Sequence, residues 1–237
     1  MFSIKFVIMI AGIFLITFPG WTGVILETFE DENLDDWQEE TQENLKVNAS
    51  WEVIDGDLHG VNHHRLIRLL TTKDETWQDY SVEFKVKPLI KVGAGGILIV
   101  ARMQGDQGVM CMVGDMFFPE RGSEAICMYG DLQQSIFNLR KQLPHKFLPL
   151  NTWSTLGLIV DADMLTFWVN NKQVLEPIVL DLEPDGNFSG FALGRVGLGL
   201  ANYTARFDNV SIAGDDIPFP VAPKMKVATT WAKLKAF

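Results

Sequence analysis

Ser81-Val82-Glu83-Phe84-Lys85-Val86-Lys87 alternates without a break, Val82, Phe84 and Val86 falling on one face and Glu83, Lys85 and Lys87 on the other. A period of two fits a half-buried antiparallel strand and nothing helical. Gly95–Met103 is more uniformly apolar and reads as a central strand. Trp153–Val160 and Leu165–Val169 predict a hairpin turning through Asp161-Ala162-Asp163-Met164. Asn170-Asn171 supplies the next turn, because asparagine tolerates left-handed backbone. Gly194–Ala201 and Tyr203–Ile212 give two closing strands, and shorter candidates fall at 24–29, 51–54, 57–61, 65–72, 108–113, 124–129 and 173–181. No stretch carries a long 3.6-residue apolar period with helix caps. Many short strands punctuated by Gly, Asp and Asn predict an all-β, two-sheet antiparallel sandwich of Greek-key or jelly-roll type. Asp115–Leu150, with Pro119, Pro144 and Pro149, is the least regular stretch and reads as a long loop over one face.

Residues 1–23 read as a signal peptide. Lys5 is the only charge before Glu27, and Phe6–Phe18 holds thirteen uncharged residues before Pro19-Gly20. That run is short for a membrane span of about 20 residues and suits a secretory apolar core. An uncleaved anchor and a buried first strand are the alternatives. The expected locations are secreted, periplasmic or cell-surface, without membrane attachment after cleavage. In an oxidising compartment Cys111 and Cys127 either bridge neighbouring strands or remain two small buried hydrophobes. Residues 24–214 form the expected domain, and 215–237, with Pro218, Pro220 and Pro223, a linker and tail.

The net charge of −10 and the absence of a basic stripe argue against a nucleic-acid partner. His59, His63 and His64 lack an accompanying Cys or acid cluster and read as a polar loop. There is no HExxH, GxSxG or phosphate-binding loop.

The segments Leu26-Glu27-Thr28-Phe29-Glu30-Asp31, Leu34, Trp37 and Trp51–Leu58 resemble the start of a concanavalin A-like lectin/glucanase domain. The likeness is closest to LamG-like and 3-keto-disaccharide hydrolase-type domains. It continues through Trp77-Gln78-Asp79-Tyr80, Gly95-Gly96 to Arg102, Trp153–Val160, Gly197-Leu198-Gly199 and Phe207-Asp208-Asn209-Val210. This resemblance implies a jelly roll with one concave and one convex sheet. It also implies a structural Ca2+ between the first and last strands, with Glu30 and Asp208 at the matching positions. The E-x-D-x-x-E strand of the glucanase branch is missing; Glu183-Pro184-Asp185 begins it but lacks the third acid. Trp37, Trp51, Trp77 and Trp153 fall where the fold packs its core. Arg102, in step with Leu98 and Val100, is the leading candidate for binding carbohydrate, unless it pairs with an acid such as Asp115. Tyr129 and Trp168 are further candidates. The expected function is an exported glycan- or polysaccharide-binding or adhesion-type sandwich. The alternatives are a glycoside hydrolase of the 3-keto-disaccharide type and a protein-interaction module.

Overall fold

A computed structural model describes residues 23–42, 49–182, 190–215 and 217. The leader, most of the tail and Glu183-Pro184-Asp185 lie outside the described residues. Among the described residues fourteen strands follow in order: β1 (Gly23–Glu27), β2 (Trp37–Thr41), β3 (Ala49–Ile54), β4 (Asp57–Asn62), β5 (Arg68–Thr72), β6 (Tyr80–Gln104), β7 (Gln107–Gly114), β8 (Glu124–Asp131), β9 (Ile136–Pro144), β10 (Ser154–Asp161), β11 (Met164–Val169), β12 (Lys172–Gln173), β13 (Ile178–Val179) and β14 (Arg195–Gly214). Every pairing is antiparallel. The only helical turn among the described residues is the 3-10 segment Pro119–Arg121.

Two long strands make the sandwich. β6 and β14 run antiparallel from Arg195↔Met103 to Gly214↔Tyr80, and the ribbon changes layer halfway. The first half of β14 and the second half of β6 sit in a front sheet ordered β9-β8-β7-β6-β14-β5-β2. The other halves sit in a back sheet ordered β12-β11-β10-β6-β14-β4-β3, with β1 on the last residues of β14. Gly95 makes the corner possible: a Cβ there would stand 1.9 Å from the Ala201 carbonyl oxygen. Asn202, at φ 55°, closes the corner by donating from Nδ2 to Ala94 O at 2.6 Å.

The core lies between the layers. Val82, Phe84 and Val86 from the back sheet face Ile97, Ile99 and Leu198 from the front, as alternation requires. Trp37 and Trp77 are buried there and Trp51 packs against it, whereas Trp153, just ahead of β10, is 40% exposed and does not serve the core. Cys111 and Cys127 stand directly opposite each other on β7 and β8 and are bonded. Asn170 and Asn171 adopt φ 49° and 61° in the β11–β12 turn.

Asp115–Leu150 is not one long loop. It contains β8 and β9, and β8 is buried along its length. β9 escapes a pattern reading because it is an edge strand with a register shift beside Cys127/Met128 and mostly exposed side chains.

Candidate functional site

Arg102 leaves the face it shares by count with Leu98 and Val100. The β6–β7 register shifts between Ala101 and Gln104, and Arg102 takes φ 49°. Met103 then resumes the outer face while the guanidinium turns inward, 1% exposed. Nη1 donates to Phe191 O at 2.7 Å, and Nη2 to Ala162 O at 2.7 Å and Gln78 O at 3.0 Å. Its acidic partner is Asp79 at 3.3 Å, not Asp115. Asp115 instead braces the corner, with Lys91 Nζ at 3.0 Å and Gly95 N donating to it at 2.9 Å.

Tyr129 alternates onto the inner side of β8, packs 4.3 Å from the Phe191 ring and donates to Val179 O at 3.0 Å. Burial raises its phenol pKa. Trp168 alternates with the core residues Phe167 and Val169, which places it on the outer face of the back sheet, half-buried. The four residues therefore stand in a seam between layers, at a corner, inside the core and on the opposite face. They do not converge.

A different polar group occupies one end of the front sheet's outer face. Arg195, 4% exposed, reaches from β14 across β5 to Glu40 on β2, with Nη1 and Oε1 at 3.0 Å. Its Nε lies 3.4 Å from Glu75, and Nη2 donates to Gly105 O at 2.5 Å. Gln38 Nε2 donates to Glu40 at 2.6 Å. Burial raises the pKa of Glu40 against the opposing pull of Arg195, and Asp106 and Glu75 add to the rise. Thr71, paired with Gln38 and Gly197, has a buried hydroxyl without a hydrogen-bond partner among the described residues. These residues come from five separate stretches of chain and form no motif, so no sequence signal joins them.

The rest of that outer face is apolar. Leu69, Leu98, Val100, Met103, Met110, Met112, Ile126 and Met128 form a second cluster, separate from the core between the layers. Glu124 is the acid on its β8 side. The step from β8 to β2 crosses five strand spacings, so Glu124 and Glu40 are about 24 Å apart. Glycosidase carboxyl pairs stand about 5–10 Å apart.

Around the expected Ca2+ position, Asp208 accepts from Asn209 N and Nδ2, both at 2.6 Å. Burial raises its pKa, and Asp57 and Glu30 push the same way against Lys85. Glu30 lies beside the β3–β4 turn, its Cγ 4.0 Å from where a Cβ on Gly56 would be. Asp57 is ion-paired with Arg206. No group of three or more His, Cys, Asp or Glu arranged to hold a metal exists among the described residues. Ca2+ held here would draw on Glu30, Asp208 and backbone carbonyls.

The sequence from 26 to 213 matches the model of the 3-keto-alpha-glucoside-1,2-lyase-like domain. The chain belongs to that family. No curated protein sequence matches it. Among solved structures it is similar to the carbohydrate-binding module CBM66 from Bacillus subtilis, at 14% identity and TM-score 0.55, covering 74% of this chain and 94% of that one. It is also similar to a Bacillus licheniformis β-glucanase, at 13% identity and TM-score 0.51, covering 82% and 98%. A third is the potassium-bound form of the Emp46p carbohydrate recognition domain, at 13% identity and TM-score 0.52, covering 78% and 94%. These likenesses establish the concanavalin A-like jelly roll for this member of the lyase-like family.

Proposed function

We propose that this family member is an exported, non-catalytic glycan-binding or adhesion-type module that meets its ligand at the polar end of the front sheet. The supporting observation is the Arg195 cluster. Two carboxylates, Glu40 and Glu75, share one buried guanidinium, with Gln38 alongside and an unsatisfied Thr71 hydroxyl beneath. Planar acceptors and amides of this kind suit sugar hydroxyls. Glu40 Oε1 already accepts from Arg195 and Gln38, which favours recognition over proton transfer. Export accords with the apolar run Phe6–Phe18, and a structural Ca2+ at Glu30 and Asp208 belongs to the same proposal.

A second reading is glycoside cleavage by Glu40 with Glu75. The raised pKa of Glu40 favours it, because such a carboxyl retains a proton closer to neutrality. A glycan array and a turnover panel of glucosides and 3-keto-glucosides separate the two. We expect glycan binding without turnover, and binding weakened about tenfold by Glu75→Gln or Gln38→Ala, the size of one lost hydrogen bond to a charged group. Turnover abolished by Glu40→Gln establishes the enzyme instead. Neither binding nor turnover leaves a protein-interaction module.

A further inference from the structure

A two-layer sandwich normally leaves each sheet's outer face to water, yet the middle strands of the front sheet are buried on both faces. β5, β8, nearly all of β7, and the front halves of β6 and β14 have no exposed residue. The outer-face cluster holds five of the nine methionines, each no more than 5% exposed. Met112 lies over Gly96 and Met110 over Gly130, where a Cβ would collide with their methyl carbons at 2.1 and 2.7 Å. Thioether side chains laid flat over glycines make a level, adaptable apolar floor. Phe117 and Phe137 pack against it, but no helix and no third sheet among the described residues lies over it. Within this floor Glu124 is 5% exposed and has no side-chain hydrogen bond or ion pair among the described residues.

We propose that this floor is the docking surface for the chain's own C-terminal segment, 218–237. Its chemistry is complementary. It carries Lys224, Lys226, Lys233 and Lys235 and no acid, interleaved with Met225, Val227, Trp231, Leu234 and Phe237. The apolar residues meet the methionines and one lysine meets Glu124. The reach is sufficient. Gly214 pairs with Tyr80, whose hydroxyl accepts from Arg102 N at 2.8 Å, and the next residue, Met103, already belongs to the floor. Residues 218–237 span up to about 66 Å when extended, several times the width of the central strands. The leader starts from the same place, since Gly23 pairs with Gly214. It offers the uncharged run Phe6–Phe18 and a single cation, Lys5, against the four lysines of the C-terminal segment.

The test replaces Trp231 in the full chain with the photo-cross-linking residue p-benzoylphenylalanine. Irradiation should join position 231 to the peptides holding Met110, Met112 or Met128 within one molecule, with a yield independent of protein concentration. A second measurement follows methionine oxidation by dilute peroxide. The double substitution Trp231→Asp, Leu234→Asp should speed sulfoxide formation at Met112 and Met128 about tenfold while leaving the exposed Met164 unchanged. Cross-links that grow with concentration would assign the floor to a second copy. Cross-links elsewhere, or oxidation rates unmoved by the substitutions, would overturn the proposal.

Discussion

Arg102 carries a full positive charge into the protein interior and ties together chain segments far apart in sequence. Its guanidinium holds the carbonyls of Gln78, Ala162 and Phe191, and its backbone N–H holds the Tyr80 hydroxyl. Asp79, which balances the charge, also caps Ala162 N at 2.7 Å. Removing the side chain would strand three acceptors and leave Asp79 uncompensated. Arg102→Ala should therefore cost about 1–3 kcal/mol, the penalty of buried acceptors left without a donor, because the half-exposed Asp79 is screened by water. Denaturant unfolding checks this, and a midpoint within experimental error of wild type would refute the seam role. The sequence does show an arginine at the end of an apolar strand that needs a partner. What it does not show is the shift beyond Ala101. Counting by two places Arg102 beside Val100, and a single left-handed residue sends it between the layers instead. The same limit hides Glu40, Glu75 and Arg195, because their proximity follows from strand order and from no spacing along the chain.

Strands are where the pattern reads well. The alternation at 81–87, the Asp161–Met164 hairpin and the paired asparagines all describe local geometry, and each is found where the residue chemistry puts it. The sequence pattern breaks within β6 and β14 as it does at strand ends, whereas both strands run on and change layer. Gly93-Ala94-Gly95-Gly96 and Asn202 are corner residues, and a corner and a loop have the same composition. β9 is obscured for a different reason: an edge strand has one neighbour and little need to bury either face. The disulfide joins the two strands next to this edge. It links positions 16 apart, and cross-linking a loop of about that size stabilises a fold by about 3 kcal/mol through the unfolded chain. The double substitution Cys111→Ala, Cys127→Ala should lower stability by that order while keeping the far-ultraviolet spectrum. An unchanged melting temperature would show that packing on the inner face, rather than the bond, holds β7 to β8.

Taken as a whole, the jelly roll closes by laying its first strand on its last. β1 pairs with β14 from Glu27↔Val210 to Gly23↔Gly214, and Glu30 follows β1 while Asp208 precedes that pairing. Acidic groups thus gather where the two ends of the fold meet, in a chain already at −10. Burial and the neighbouring Asp57 and Glu30 raise the pKa of Asp208. An acid whose folded pKa is raised contributes stability below its unfolded value of 3.8, and that contribution is lost as pH rises through the folded pKa. Bound Ca2+ opposes the loss, so its stabilising effect should grow as pH rises through the ionisation of Asp208. At a hundredfold excess over its dissociation constant a ligand adds about 2.7 kcal/mol, which for a domain of this size is a melting shift of about 5–10 °C. We expect that shift after chelation and re-addition of Ca2+ at neutral pH, shrinking toward pH 4 and absent in Asp208→Asn. A melting temperature indifferent to Ca2+ at every pH would mean that the closure is held by the β1–β14 hydrogen bonds and the Asp57–Arg206 pair without a metal ion.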